Sequence, residues 1–62
     1  MLTDKQKADK LREAIALLMD ADAIQQAALG DSDVSYDNSH RIMDIVDDLT
    51  ADVEMLDREV QV

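Results

Sequence analysis

The second half of this sequence carries apolar side chains at the spacing of a helix that packs lengthwise against another helix. From residue 42 onward they recur at intervals of four, three, four, three and four residues: Ile42, Val46, Leu49, Val53, Leu56 and Val60. This is a heptad pattern with valine at the a positions and isoleucine or leucine at the d positions. It predicts an amphipathic helix over about residues 36–60.

The first half predicts a second helix over about residues 4–29, with apolar residues over a wider arc. Thr3 and Gln6 are spaced as a capping box, and Gly30, the only glycine, stands where a helix C-terminus requires one. Two apolar stripes follow the helical repeat: Leu11, Ile15, Leu18 and Leu29 in one, and Ala14, Leu17, Ala21, Ile24 and Ala28 in the other. Together they cover about half of the helix surface, which is more than one antiparallel neighbour can bury.

The segment between the helices is short and rich in turn-forming residues. It reads Gly-Asp-Ser-Asp-Val-Ser over residues 30–35, so Ser35 is predicted to cap the second helix. A connection of this length makes the helices antiparallel neighbours. The predicted fold class is therefore all-α, an antiparallel two-helix hairpin forming one domain over residues 1–62.

This hairpin implies a register for the charged side chains. Residue 22 is expected near residue 43 and residue 11 near residue 54, so Asp22 is expected to pair with Arg41. At the open end, three lysines are expected beside acidic residues of the second helix: Lys5, Lys7 and Lys10 beside Asp57 and Glu59. Exposed pairs of this kind favour a register but add little stability.

The surplus apolar stripe predicts association with another chain. Chains of about 60 residues are marginally stable even with a complete core. Two hairpins could complete each other as a homodimeric four-helix bundle, or the stripe could be a docking surface for a different protein. The predicted core and dimer interface combines both helices: Leu11, Ala14, Ile15, Leu17, Leu18, Ala21, Ile24, Ala28, Ile42, Val46, Leu49, Val53, Leu56 and Val60.

Charge limits the classes of partner. The net charge is −9, from 15 acidic and six basic residues, which opposes binding to nucleic acids and to anionic membranes. Between residues 20 and 48 stand eight acids and a single base, Arg41. This block is typical of a solvated surface and could also attract a basic protein. The candidate partner-binding residues are Tyr36, Asp37, Asp44, Asp47 and Asp48.

The residues that could carry chemistry form no complete constellation. The chain has no cysteine, and its single histidine, His40, is expected on the solvent side of the second helix. Residues 31–37 offer oxygen ligands at the first positions of a calcium loop, but Tyr36 replaces the required glycine and Ile42 the bidentate glutamate. Asp37, His40 and Asp44 share a helix face without further ligands. We therefore expect no catalytic site, cofactor or metal.

Three functions follow from these patterns. The first is a non-enzymatic hairpin protein acting by protein–protein contact, as a small regulator or inhibitor of the kind that phages, plasmids or bacterial operons carry. The second is an acidic mimic that occupies the nucleic-acid site of a basic protein. The third is an RNA-binding dimer, because the layout resembles that of small RNA-binding hairpin proteins. The longest apolar run is six residues, so we expect neither a membrane span nor a secretory signal, and a cytoplasmic location.

Overall fold

The chain forms two long helices that fold back on each other. The computed structural model describes the backbone of residues 1–61 and the side chains of residues 1–59. Helix α1 runs over Asp4–Leu29 and helix α2 over Asp33–Gln61, in a hairpin 45 Å long and 15 Å wide. The predicted all-α hairpin is thus confirmed. Its Cα radius of gyration, 14.3 Å, exceeds the roughly 11 Å of a compact domain of this length.

Both ends of α1 are closed by the residues that the sequence predicts. The Thr3 hydroxyl accepts a hydrogen bond from the Gln6 backbone N–H at 3.1 Å, and the Gln6 side chain accepts one from the Thr3 N–H at 2.9 Å. At the other end, Gly30 adopts a positive φ of 69° and donates its N–H to the Gln26 carbonyl at 2.8 Å. An L side chain rarely adopts this backbone conformation, so glycine ends the helix here.

Helix α2 begins three residues earlier than the sequence pattern predicts. Ser32, not Ser35, caps it: the Ser32 hydroxyl accepts from the Ser35 N–H at 3.2 Å, and the Ser32 carbonyl from the Tyr36 N–H. The prediction of Ser35 as the cap was wrong because Asp33 and Val34 continue the helix instead of the turn. The connection shrinks to residues 30–32, and Ser35 is left buried against α1.

The two helices meet along one heptad seam each. On α2 the seam is the predicted one, with Val46 and Val53 buried and the leucines and Ile42 half-buried; the side chain of Val60 lies outside the described residues. On α1 the seam runs through Ala8, Leu11, Ile15 and Leu18, and continues toward the turn as polar residues. In the described part only Ala8, Val46 and Val53 are buried apolar side chains. The hairpin alone therefore has a very small core.

The ion pair that joins the helices at the open end differs from the expected lysine pairs. The Arg12 guanidinium contacts the Asp57 carboxylate across the hairpin. Lys7 and Lys10 instead pair within α1, with Asp4 at 3.9 Å and Glu13 at 3.7 Å. The longer arginine side chain spans the interface, while the two lysines lie on another side of α1.

The position of the α2 cap gives a direct test of the turn. Ser32→Ala should lower the free energy of unfolding by about 1 kcal/mol, because one helix-end N–H loses its acceptor. Urea unfolding followed by circular dichroism, at one fixed protein concentration, measures the change. Ser35→Ala is the matched control and should change stability by less than about half as much. A larger loss in Ser35→Ala would place the cap at Ser35.

Candidate interaction surfaces

One long side of the hairpin carries large apolar side chains that are open to solvent. In the heptads defined by the α1 and α2 seams, its residues occupy the g and c positions of both helices, which flank the seam on the same side in an antiparallel pair. We call this surface the neutral face, and it consists of Lys7, Lys10, Ala14, Leu17, Ala21, Ile24 and Ala28 of α1 with Val34, Asn38, Arg41, Ile45, Asp48, Asp52, Met55 and Glu59 of α2.

A groove at the open end shows that both helices contribute to this face. It has a volume of about 430 Å³, and its lining joins Lys7 and Lys10 of α1 to Asp52 and Met55 of α2. Leu2, Leu11 and Leu56 complete the lining. The groove therefore has an apolar floor with charged groups around it.

The large apolar side chains of the neutral face are among the most exposed in the protein. Leu17 is 63% exposed and Ile24 69%, and from α2 Val34 is 60% and Met55 54% exposed. Of the second stripe predicted on α1, Ala14 is half-buried, whereas Ala21 and Ala28 are exposed like Leu17 and Ile24. The hairpin therefore packs Leu11, Ile15 and Leu18 of the first stripe against α2, whereas Leu29 and most of the second stripe remain exposed.

The exposed area is larger than a single chain of this mass usually presents. The hairpin has 4802 Å² of accessible surface, against about 4,000 Å² for a compact monomer of 6.9 kDa. The difference of roughly 800 Å² accompanies the elongated shape of the hairpin, and it is comparable to the area that each partner buries in an interface of standard size.

Charge is distributed unevenly between this face and the remaining surface. The face carries three basic residues, Lys7, Lys10 and Arg41, and three acidic ones, Asp48, Asp52 and Glu59. The other 12 acidic and three basic residues of the chain lie elsewhere, so the whole net charge of −9 belongs to the remaining surface. Two apolar surfaces can therefore approach on the neutral face without a local excess of either sign.

The opposite flank of the hairpin carries an ion pair, an aromatic pair and two methionines. It carries the Arg12–Asp57 pair, and near the turn the Tyr36 ring meets the His40 ring edge-on, with centroids 4.5 Å apart. Shallow grooves of about 530 and 210 Å³ share Tyr36 in their linings, and the Tyr36 side chain is 67% exposed. Met19 and Met43 are half-exposed on the same flank. This flank offers an aromatic side chain beside polar groups.

The five candidate partner-binding residues do not form one patch. All of them are exposed, but Asp48 lies on the neutral face, whereas Tyr36 stands on the opposite flank. Asp37, Asp44 and Asp47 occupy outward positions of α2, away from α1. The outward acids and Tyr36 can face a common partner; Asp48 faces away from it.

A polar cluster fills the seam near the turn, where apolar residues would otherwise meet. The Ser39 hydroxyl donates to the Asp22 carboxylate at 2.6 Å, and the Gln25 and Gln26 side chains donate to it at 3.1 and 3.0 Å. Gln25 also donates to the Ser35 carbonyl of α2 at 3.2 Å. The predicted pairing of Asp22 with Arg41 was wrong, because Arg41 lies on the neutral face.

These hydrogen bonds change the acidity of Asp22. The Ser39 hydroxyl, followed by the Gln26 and Gln25 amides, stabilises the charged carboxylate and lowers the pKa of Asp22 below its usual value. Sequence reasoning paired Asp22 with Arg41 across the hairpin and missed this cluster. The signal was available: residues 22, 25, 35 and 39 continue both heptad seams with polar side chains.

The residues weighed for metal binding do not come together. Asp33, Ser35 and Asp37 lie within α2, so residues 31–37 do not form a calcium-binding loop. In the described part, no group of three or more His, Cys, Asp or Glu side chains is placed to hold a metal ion. Neither helix, over the residues described, has the length and apolar character needed to cross a membrane.

Comparison of the chain with protein-family models, with curated proteins and with solved structures finds no match.

The Asp22 cluster predicts an acid-sensitive contribution to stability. Because the pKa is lower in the folded chain, the contribution is present above the unfolded pKa and is lost as pH falls through the folded value. In Asp22→Asn, the free energy of unfolding should fall less steeply below about pH 4 than in the unaltered chain. Urea unfolding at a series of pH values measures this slope. The control, Asp20→Asn, removes an exposed acid two residues away and should keep the original slope; equal slopes in all three chains would contradict the prediction.

Proposed function

We propose that this chain is a small, non-enzymatic interaction protein whose hairpin pairs with a second copy as a four-helix bundle. The observation that carries the proposal is the neutral face, an apolar surface along both helices that the hairpin leaves uncovered. Its zero net charge contrasts with the acidic remainder, as expected of a surface that is covered in the working protein.

In this proposal the dimer presents the acidic surface to other proteins. The outward carboxylates Asp37, Asp44 and Asp47, with Tyr36 at the turn, then form the contact for a basic protein partner. The exposed aromatic ring provides buried area on binding, and the carboxylates provide long-range attraction. This fits a cytoplasmic regulator or inhibitor of the type found in phages, plasmids and bacterial operons.

Two single variants test the self-association, each adding one negative charge on a different side of α1. Ile24→Asp should raise the dimer dissociation constant more than tenfold, because an apolar side chain of the interface is replaced by a carboxylate. Ala27→Asp adds the same charge to an outward position of the same helix and is the control. Sedimentation equilibrium gives both constants, and circular dichroism shows whether each variant stays helical. Equal constants would contradict the proposed interface.

The acidic mimic is the second candidate, favoured by the exposure of the outward acids of α2. In this case Asp44→Asn with Asp47→Asn should weaken binding to a basic partner much more than Ile24→Asp does, and binding should fall steeply with salt. Immobilised variants incubated with a lysate, washed at 50 and 500 mM salt, and analysed by mass spectrometry compare these losses. Salt-insensitive binding would reject mimicry. Retarding a structured RNA at low salt would instead favour the RNA-binding dimer.

A further inference from the structure

The charge on the hairpin is unequal at its two ends, and this asymmetry bears on how two copies meet. The turn end, residues 20–40, contains five aspartates and neither lysine nor arginine. The open end, formed by the first 12 residues and those after residue 50, contains five of the six basic residues: Lys5, Lys7, Lys10, Arg12 and Arg58. A hairpin of this chain is therefore strongly acidic at one end and close to balanced at the other.

Two closed arrangements bring one neutral face against another. A two-fold axis along the bundle places both turns at the same end, and an axis across the bundle places them at opposite ends. Packed helices lie about 8–10 Å apart, which is no more than the Debye length of about 10 Å at 0.1 M salt. Adjacent turns would therefore collect both groups of five aspartates at the same end of the bundle, where their like charges repel. Opposite turns separate the two acidic groups and place each beside the nearly balanced open end of the other copy.

The shape of the neutral face fits the arrangement with opposite turns. Ile24, Leu17 and Lys10 stand at intervals of seven residues on α1, so an axis through Leu17 exchanges Ile24 with the position of Lys10. The open-end groove lies at that position, and its floor is apolar. The protruding Ile24 side chain of one copy then enters the groove of the other. The small Ala14 and Ala21 on either side of Leu17 allow α1 of the two copies to approach closely.

The same axis aligns the charged residues of α2. Asn38 bonds to Gln25 across the hairpin, and Asp52 shares the groove with Lys10 and Leu11, which fixes the height of α2 residues relative to α1. In this register Leu17 of α1 lies at the same height along the hairpin as the segment of α2 between Ile45 and Asp48. A rotation about that level brings Arg41 of one copy beside Asp52 of the other, in two equivalent pairs. Charge and shape thus favour one orientation.

We propose that the second copy docks on the neutral face with its turn at the opposite end of the bundle, seating Ile24 in the partner's open-end groove. This inference rests on the self-association proposed above and adds its geometry. Leu17 meets its own counterpart at the two-fold axis. Each acidic turn lies beside the nearly balanced open end of the other copy, which carries five of its six basic residues.

The lack of cysteine in the chain allows a distance measurement with a single label. In Asp31→Cys carrying a nitroxide, the labels of the two copies should be about 40 Å apart. Each label lies 14 residues of helix rise from Leu17 at the axis, so about 28 residues of rise separate the two labels along the bundle. Pulsed dipolar electron paramagnetic resonance measures this distance. The substitution removes one turn aspartate, so it weakens the proposed preference and cannot create it.

The other outcomes separate this inference from the proposed function. A distance of about 20 Å or less would place the turns at the same end and overturn the orientation, while self-association stands. The absence of a dipolar signal, with a monomeric mass in sedimentation, would overturn both. As a second measurement, Leu17→Cys should form a disulfide-linked dimer under mild oxidation and Ile24→Cys should not. The reverse result would also overturn the orientation.

Discussion

The limiting constraint on this molecule is that two helices alone can bury only one seam each. A seam of alternating a and d residues covers a narrow stripe of a helix, and α1 carries apolar side chains well beyond it. In the hairpin the described core therefore contains only three buried apolar side chains, all of them alanine or valine. Most apolar side chains of α1 beyond its seam are therefore exposed, and their position beside the charged residues determines the character of the surface.

The placement of charge is the second property that determines how this hairpin can associate. A net charge of −9 makes copies of this chain repel each other, and this repulsion opposes association. Concentrating the excess acids away from the neutral face removes that opposition at the one surface where burial stabilises contact. The proposed dimer would then have an apolar interior and a continuous acidic exterior, from which Tyr36 projects.

The sequence predicted the elements well because their signals are local. The α2 seam, the Thr3 capping box and Gly30 each depend on residues within one or two turns of helix. The structure has the cap, the glycine and the seam from Ile42 to Leu56 as expected. The start of α2 was misplaced because Asp33 is as compatible with a first helical turn as with a loop. The Arg12–Asp57 pair and the hydrogen bonds of Asp22 depend on the detailed register between helices, which local patterns do not specify.

The neutral face likewise combines features that local sequence signals predict with features that depend on how the helices pack. The second stripe of α1 was visible in the sequence, since alanine and large apolar residues alternate there at helical spacing. The contribution of α2 was missed, because Val34, Ile45 and Met55 are separated by charged residues and form a surface only beside α1. Its electrical neutrality emerges only when lysines of α1 and acids of α2 are brought to one side by the fold.

The measurement that most directly tests the central claim is the mass of the unaltered chain by sedimentation equilibrium across a range of salt, with helicity followed on the same samples. Association through a neutral apolar face predicts a helical species of twice the 6.9 kDa chain mass that persists, or strengthens, as salt screens the repulsion between the acidic exteriors. A helical monomer at all salt concentrations would contradict it, and so would a dimer that dissociates when salt is raised.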